Sequence, residues 1–140
     1  MTFTDPEIDY LTGQPIGRLA TKQPNGNLQV NPVGFAYNTD TGTIDIGGYT
    51  MSVSRKYRNV ADNGRVAFVL DDVVSTDPWR VRFLEVRGRA EAIPEPTDSA
   101  SRVSGAIIRI HPERIISFAL DTPDLEPHQV RVHSRAVPAT

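Results

Sequence analysis

The segment "TIDIGGYTMSVSRKYRNVADNGRVAFVL", residues 43–70, decides the fold predicted for this chain. It starts as a short strand, bends at Gly47-Gly48 and continues as a helix. Asn63-Gly64 can stop that helix, because glycine commonly follows the last helical residue. The near-continuous apolar run that starts at Arg65 then predicts a strand buried on both faces. The segment therefore predicts a strand, a helix and a second strand.

The preceding residues carry the turn signals of an antiparallel sheet. Asn25-Gly26, between two strand-like runs, is the strongest short hairpin signal. Residues 38–42, "NTDTG", form a second turn, and two hairpins in succession predict a meander. Pro32 lies inside a strand-like run, which predicts a sheet edge, a bulge or a rim at that point. Upstream, residues 3–14 predict a short helix capped by Thr4 with Glu7 three residues on.

The second half of the chain also reads as strands. We predict a long loop at residues 73–79, an alternating strand at 80–93 and another loop around 94–98. Residues 105–120 are expected to split at His111-Pro112 into two short strands. The tail from residue 128 is either an edge strand or an arm that reaches a partner subunit. About seven strands and one or two short helices favour a mainly β fold, a closed or partly closed antiparallel barrel.

Length and composition limit the class of protein. The 140 residues predict a single domain spanning 1–140. A net charge of −2 argues against binding to nucleic acid or to an anionic membrane surface. No run reaches the roughly 18 apolar residues that span a bilayer, and the first residues lack a secretory pattern. There is no cysteine, hence no disulfide or thiolate. We expect a cytoplasmic protein.

The predicted helix carries a candidate anion site. Polar side chains fall at i, i+3, i+4 and i+7, namely Ser52, Arg55, Lys56 and Asn59. A helix N-terminus offers free N–H groups and a favourable dipole, and Arg and Lys add charge-assisted hydrogen bonds. The pair Gly47-Gly48 lets the backbone approach a flat ligand closely. The alternative is a solvated helix face, with an apolar stripe of Val53, Tyr57 and Val60 turned to the barrel.

Two further segments are candidate ligand contacts. Pro32, within the segment 31–35, removes one ladder donor and can free a neighbouring backbone group for a ligand; a simple bulge is the alternative. Trp79 lies between a proline and Arg80, with Arg82 nearby. This cluster can cover a heteroaromatic ring or hold its acidic tail. It can equally anchor a subunit interface.

Other chemistry has little support in the sequence. His111 precedes a proline and is expected in a turn, and His128 and His133 lie five residues apart without a carboxylate at ligand spacing, so no metal site is predicted. We interpret Asp71-Asp72 as strand-end and turn residues, because adjacent strand residues point to opposite faces. The glycine-rich stretches match neither a dinucleotide-binding nor a P-loop pattern. No catalytic side chain is nominated.

Taken in order, these motifs resemble the split-barrel superfamily that includes pyridoxamine 5′-phosphate oxidase. The resemblance runs through "GRLAT", "NGNLQVNPVGF", "TIDIGG", "SRKYRNV", "NGRVAFVLDD" and "EVRGRAEAI". More narrowly, "QVNPVGF", "IDIGGY", "SRKYRNV" and "DPWR" are similar to the actinobacterial branch that uses the deazaflavin F420. The resemblance implies an FMN-binding type of split barrel, antiparallel and of Greek-key type. It also implies a homodimer with two cofactor sites at the subunit interface.

The resemblance assigns site residues by position. Ser54, Arg55 and Lys56, with Ser52, would hold the cofactor phosphate, and Gly48 lies beside them. The backbone of Asn31, Pro32 and Val33 would edge the isoalloxazine ring. Trp79, Arg80 and Arg82 would approach from a loop, and the other subunit could supply that loop.

The implied activity is a deazaflavin-dependent reduction. Reduced F420 would deliver a hydride to a small, conjugated organic molecule, with the protein supplying orientation. Two departures argue against oxidation of pyridoxamine phosphate itself: residues 82–84 replace an Arg-Gln-Val motif, and no Trp- and Arg-containing substrate segment follows Ile110. The rival hypotheses are an FMN-dependent enzyme of the same fold, a non-catalytic flavin or haem binder, and a dimeric scaffold without a ligand.

Overall fold

The computed structural model describes residues 2–95, 105–122 and 125–138. Within these ranges the chain is mostly β, with two α-helices and eight strands. The elements are α1 Asp5–Gly13, β1 Gly17–Lys22, β2 Leu28–Val33, β3 Ala36–Asn38, β4 Thr43–Ile46, α2 Arg55–Asn63, β5 Arg65–Thr76, β6 Trp79–Ile93, β7 Ile107–Phe118 and β8 His133–Ala136. Single 3-10 turns lie at Met51–Val53 and Pro127–Gln129.

The strands form one antiparallel sheet that curls into a split barrel. Its order is β2-β1-β5-β6-β7-β4-β3, and β8 pairs with β7 outside that path. The two predicted hairpins exist, but they do not form a meander, because β1–β2 and β3–β4 lie at opposite edges of the sheet. Gly34 and Phe35 alone separate β2 from β3 along the chain. So short a link brings the two edges together and closes the sheet on itself.

The expected proline edge is confirmed, and the expected burial of β5 is wrong. Pro32 lies on β2, where it pairs with Arg18 of β1 and has no second strand partner among the described residues. In β5 buried and less buried residues alternate from Arg65 to Asp71. One face of this central strand packs on the core and the other stays partly accessible. The apolar run in the sequence therefore does not mean that both faces are buried.

The predicted long loop at residues 73–79 is a tight hairpin. β5 continues to Thr76 and β6 starts at Trp79, with Thr76 opposite Trp79 across the turn. The register shifts between Val73 and Ser75, which leaves Val74 as a bulge residue. Asp71 and Asp72 therefore lie inside β5 and not at a strand end. Ladder pairing across two long strands overrides the turn signals of the sequence.

Strand β7 runs through His111-Pro112 without splitting, contrary to the prediction. The ladder with β6 slips between Arg87 and Gly88, so that Arg87 faces Arg114 while Gly88 faces Pro112. Glu113 is the extra residue of this bulge. A bulge tolerates a proline that cannot donate to the ladder. A Cβ on Gly88 would lie 2.2 Å from the His111 carbonyl oxygen, so only glycine fits opposite this bulge.

Gly88→Ala should lower the free energy of unfolding by roughly 1–3 kcal/mol, because the added methyl group overlaps a backbone oxygen. Gly13→Ala is the matched control, since a Cβ at that helix end meets nothing within 4 Å. Urea unfolding followed by circular dichroism measures both. Equal midpoints for the two variants would contradict this view of the bulge.

The two ends of the chain meet through one ion pair. Thr4 and Glu7 form the predicted capping box of α1, with the Thr4 N–H donating to Glu7 Oε1 at 2.9 Å. The Arg135 guanidinium, on β8, donates to both oxygens of Glu7 at 2.6 and 2.7 Å. Burial by itself raises the pKa of Glu7, but the hydrogen bonds from Arg135 and Thr4 and the charge of Arg135 outweigh it and lower that pKa. β8 is thus an edge strand tied to α1.

A carboxyl group with a lowered pKa stabilises the fold above its unfolded-state pKa, and this contribution is lost as the pH falls through the folded-state value. We expect Arg135→Gln to cost about 1–2 kcal/mol at pH 7, less than for a fully buried pair because Arg135 is partly exposed. The cost should shrink as the pH falls through the lowered folded-state pKa of Glu7, because below that pKa the carboxyl group is protonated in wild type and variant alike.

Arg114→Gln is the control for this prediction, because the Arg114 side chain on β7 donates to β8 only at the Ser134 hydroxyl, within the part of the chain that the structure describes. Its effect should stay within about 0.5 kcal/mol at both pH values. A cost of Arg135→Gln that does not change with pH would refute the assignment to the Glu7 carboxylate.

Candidate functional site

Helix α2 begins later than the sequence predicts. The 3-10 turn Met51–Val53 precedes it, and Ser54, with extended backbone at φ −73° and ψ 152°, is the N-cap. The Ser54 hydroxyl donates to the Met51 carbonyl oxygen at 2.7 Å and accepts from the Tyr57 N–H at 3.3 Å. Ser54 therefore stabilises the start of the helix, and its only hydroxyl proton is already used. The helix ends as predicted, with Gly64 at φ 68°.

The break at Ser54 resets the helical periodicity, so the predicted polar stripe is wrong and the predicted apolar stripe loses Val53. Ser52 is exposed and lies in the 3-10 turn. Val53 also lies there and is 67% exposed, so it does not pack on the barrel. Asn59 is buried, with its side-chain amide bonded to Thr21 and Gln29. Tyr57 and Val60 do pack against the core as expected.

The cations at the start of α2 are left without partners. Arg55 is exposed and Lys56 is partly exposed, and neither has a salt bridge within residues 2–95, 105–122 and 125–138. They occupy the first two helical positions, where backbone N–H groups have no acceptor within the helix. Two cations at the N-terminus of a helix interact unfavourably with the positive end of the helix dipole, and an anion bound there would offset this cost. This arrangement can receive an anionic group.

A chain of side-chain amides joins α2 to the free edge of the sheet. Asn59 donates to Gln29 Oε1 at 3.3 Å, and Gln29 in turn donates to Asn31 Oδ1 at 2.7 Å. Asn59 also donates to the Thr21 hydroxyl at 3.0 Å. The structure therefore brings the predicted residue Asn31 into the same network as the helix. Sequence reasoning missed Gln29 and Thr21, whose only signal was polarity at alternate strand positions.

Strand β2 is linked to this helix by the bond from Asn59 to Gln29. Asn31 is partly buried, the Pro32 side chain is exposed and the Val33 side chain is buried. The side of β2 away from β1 has no strand partner in the described part of the chain, so its backbone polar groups remain available. This edge can supply hydrogen bonds to a flat polar ring.

Gly48 lies between β4 and the 3-10 turn and leaves space beside α2. Its φ is outside the left-handed region, and a Cβ there would meet only the Met51 methyl group, at 3.9 Å. The local fold does not itself require glycine at this position. The open space is consistent with close approach of a ligand to the backbone.

Trp79, Arg80 and Arg82 lie at the far end of β6 from α2. The Gly64 carbonyl at the end of α2 accepts from the Ala90 N–H at 2.9 Å, near the other end of β6. Trp79 is 60% exposed at the hairpin. Within one chain the structure therefore does not bring these three residues together with Arg55 and Lys56.

Both arginines of this group already have internal partners. Arg80 donates to the Leu125 carbonyl oxygen at 2.8 Å and lies 3.8 Å from the Glu126 carboxylate. Arg82 forms a bidentate pair with Asp72 at 3.0 and 2.7 Å. The predicted use of these cations to hold an acidic tail therefore competes with existing contacts.

Tyr10, on α1, completes the cluster around Asp72. Its hydroxyl donates to Asp72 Oδ1 at 2.6 Å, and the Arg82 guanidinium lies 5.0 Å from its ring centroid. Burial and the adjacent Asp72 carboxylate raise the pKa of Tyr10 well above its usual range. The hydrogen bond from Arg82 lowers the pKa of Asp72 despite the opposing effect of burial. A neutral phenol and an ionised carboxylate form a stable structural network here.

A protein-family model described as pyridoxamine 5′-phosphate oxidase matches residues 4–134. The chain belongs to the pyridoxamine 5′-phosphate oxidase family. A relative from Streptomyces rimosus subsp. rimosus, a 5a,11a-dehydrotetracycline/5a,11a-dehydrooxytetracycline reductase, is 43% identical over 140 residues, covering 99% of this chain and 96% of the relative.

Solved structures of related folds extend this family assignment. A protein described as an F420 reductase is 26% identical, with a TM-score of 0.57 over 76% of this chain and 94% of that one. A conserved hypothetical protein from Mycobacterium tuberculosis is 23% identical, with a TM-score of 0.69 over 89% of each chain. The latter similarity supports the split-barrel fold alone.

Three further features of this pyridoxamine 5′-phosphate oxidase family member concern possible metal ligands, His111 and the length of its helices. No group of three or more His, Cys, Asp or Glu side chains that could hold a metal occurs among the described residues. His111 lies within β7 and pairs with Glu91, not in a turn as expected. No helix in residues 2–95, 105–122 and 125–138 is long and apolar enough to cross a membrane.

Proposed function

We propose that this oxidoreductase of the pyridoxamine 5′-phosphate oxidase family is an F420-dependent reductase that acts on a small, conjugated organic molecule. The observation that carries the proposal is the pair of cations at the start of α2, Arg55 and Lys56, which have no ion-pair partner among the described residues. Support also comes from two similar proteins whose names describe a dehydrotetracycline reductase and an F420 reductase.

The start of α2 would hold the cofactor phosphate. Arg55 and Lys56 supply charge, and the free N–H groups of the first turn point along the helix dipole towards an anion. Ser52, exposed in the preceding turn, can add a hydroxyl, whereas Ser54 acts as the helix cap. Gly48 leaves the space that a phosphate with its linker needs.

The free edge of β2 would hold the cofactor ring. Within residues 31–33, the backbone groups that point away from β1 have no strand partner in the described part of the chain. The Asn59–Gln29–Asn31 chain fixes the position of this segment relative to α2. When bound, reduced F420 supplies a hydride to an electron-poor carbon. Residues of this chain orient the ring, which lowers the entropic cost of bringing the reactants together.

A homodimer with the sites at the subunit interface forms part of the proposal. Leu28 and Val30 project from β2 with 79% and 65% exposure, and Val30 lies in register with Ala20, which in turn pairs with Ala67. An apolar stripe of this kind on the outer face of a barrel favours burial against a second copy. Such a copy would also bring its own Trp79 hairpin to Arg55 and Lys56 at the start of α2, which we call the α2 cradle.

Titration of the purified protein should distinguish F420 from FMN. We expect quenching of the single tryptophan, Trp79, with a dissociation constant for F420 at least tenfold below that for FMN. Tighter binding of FMN would replace the proposed cofactor while keeping the fold and the site. Binding without turnover across quinones and enones would favour a non-catalytic carrier.

Lys56→Ala should weaken F420 binding by roughly 1.5–3 kcal/mol, the scale of a charge-assisted hydrogen bond, which is about 10- to 150-fold in the dissociation constant. Lys22→Ala is the control, because Lys22 is an exposed lysine whose backbone carbonyl, not its ammonium group, accepts from Asn63. Isothermal titration calorimetry measures both. Equal affinities for the two variants would refute the proposed phosphate cradle.

A further inference from the structure

A groove follows helix α1 on the side that faces the end of β7. It consists of two adjacent cavities of about 240 and 420 Å³, which we call together the α1 groove. Pro6, Leu120 and Asp121 belong to the walls of both cavities. The smaller cavity lies at the start of α1 and is also lined by Ser117, His133 and Arg135, and the larger lies at its end and is also lined by Asp9, Gln14 and Arg82.

Both arginines of the α1 groove already have a carboxylate partner. Arg82 pairs with the two oxygens of Asp72 at 3.0 and 2.7 Å. Arg135 pairs with the two oxygens of Glu7 at 2.6 and 2.7 Å. Neither guanidinium offers an unpaired charge, and an anion that bound here would have to compete with an internal ion pair, which is costly to break. The groove is therefore a poor site for an anion.

Two carboxylates of the α1 groove have no partner. Asp9, on α1, and Asp121, shortly after β7, are exposed, and neither side chain has a hydrogen bond or an ion pair within residues 2–95, 105–122 and 125–138. The end of α1 adds to their negative potential, because no basic side chain lies in its last turn and the C-terminal end of a helix dipole is negative. With histidine counted as neutral, the groove has two unpaired negative charges and favours a ligand with two positive ones.

The Ser117 hydroxyl is an independent sign of a ligand in the smaller cavity. Ser117 is only 8% exposed, and its hydroxyl has no hydrogen-bond partner in the described part of the chain. It is not among the fully enclosed polar atoms without a partner, so its oxygen is open to the cavity that it lines. Buried side-chain polar groups normally have a partner. An ammonium group, which only donates, would supply one to the Ser117 oxygen.

The shared wall of the two cavities is largely apolar. Pro6 and Leu120 line both cavities, so a ligand that occupies both would contact them through its central part. Asp9 belongs to the larger cavity alone and Ser117 to the smaller alone. Polar groups therefore lie in both halves of the α1 groove, on either side of an apolar contact that suits methylene groups.

We propose that the α1 groove binds a linear aliphatic diamine in its doubly protonated form. One ammonium group binds Asp9 and the last carbonyl groups of α1. The other binds Asp121 and the hydroxyl oxygen of Ser117, and the methylene chain lies against Pro6 and Leu120. This inference goes beyond the proposed reductase function, since it uses no residue of the α2 cradle and needs no cofactor.

Three probes of equal chain length test the two charges separately. They are 1,4-diaminobutane, butylamine with one charge, and the neutral 1,4-butanediol. NMR titration of the isotope-labelled full-length protein, without cofactor, measures affinity and locates the ligand. We expect 1,4-diaminobutane to bind at least tenfold more tightly than butylamine, the diol not to bind, and the shifted amide signals to lie in α1 and residues 117–121. Equal affinities of the two amines, binding of the diol, no binding of the diamine, or signals shifted only elsewhere would overturn the proposal.

Neutral variants of the two carboxylates test their roles. Asp9→Asn and Asp121→Asn should each weaken binding of 1,4-diaminobutane about tenfold, to nearly the affinity of butylamine, because each leaves one charge of the ligand unpaired. Asp5→Asn is the matched control, since Asp5 is an exposed residue of the same helix that does not line the groove. It should change the affinity less than twofold. Equal losses in all three variants would assign the effect to net charge and overturn the site.

Ser117→Ala tests the smaller cavity and spares the fold, because the hydroxyl has no protein partner to lose. It should weaken binding of 1,4-diaminobutane about three- to tenfold, the loss of one hydrogen bond to a charged group. Circular dichroism and urea unfolding check that all variants are folded like the wild type. Unchanged affinity in Ser117→Ala would contradict the proposed place of the second ammonium group.

Discussion

The short link between β2 and β3 is the constraint on which the rest of this structure depends. Only Gly34 and Phe35 join two strands that lie at opposite ends of the sheet order, so the sheet has to curl until its edges are neighbours. Phe35 packs edge-to-face on Phe68 of the central strand β5, with ring centroids 5.2 Å apart, which fixes the link to the core. Because no ladder joins β2 to β3 in the described residues, the barrel stays split. The outer edge of β2 is free for that reason, and the candidate cofactor site uses this edge.

Buried polar networks hold the elements around that edge in place. Below β4, Arg109 of β7 makes a bidentate pair with Asp45 at 3.0 and 2.9 Å, and Asn38 and Thr43 also donate to the Asp45 carboxylate. This pairing ties β4 to β7 and so fixes the point from which the chain leaves towards Gly48 and α2. A buried carboxylate is tolerated because its oxygens are well hydrogen-bonded. The amide chain from Asn59 does the same between α2 and β2. These two networks therefore fix the position of the start of α2, although the side chains of Arg55 and Lys56 are themselves at least partly exposed.

Local signals in the sequence predicted local structure well. The capping box of Thr4 and Glu7, the helix end at Gly64 and the edge position of Pro32 each depend on a few neighbouring residues, and the structure confirms them. The predictions that failed for the strands depend on pairing across the sheet. Turn-forming residues at 73–79 and the proline at 112 predicted breaks in the strands. Long ladders nevertheless carry β5, β6 and β7 through these points. Bulges at Val74 and Glu113 accommodate the residues that do not fit the ladder.

The sequence by itself determined the fold family and the cationic character of the α2 segment, because motif order and the identity of Arg55 and Lys56 do not depend on packing. Tertiary structure alone decided which side chains are available for ligands. It made Ser54 the N-cap of α2 and buried the Asn59 side chain between α2 and the sheet. It also paired Arg80 and Arg82 with internal acceptors at the far end of β6. Hydrogen-bond partners that lie 30 to 45 residues away in the chain decided the assignments of Asn59 and Arg80, through the Asn59–Gln29, Asn59–Thr21 and Arg80–Leu125 bonds. The partner of Arg82 is Asp72, ten residues away across the β5–β6 hairpin. A sequence pattern does not reveal such partners, because they come together only when the sheet has closed.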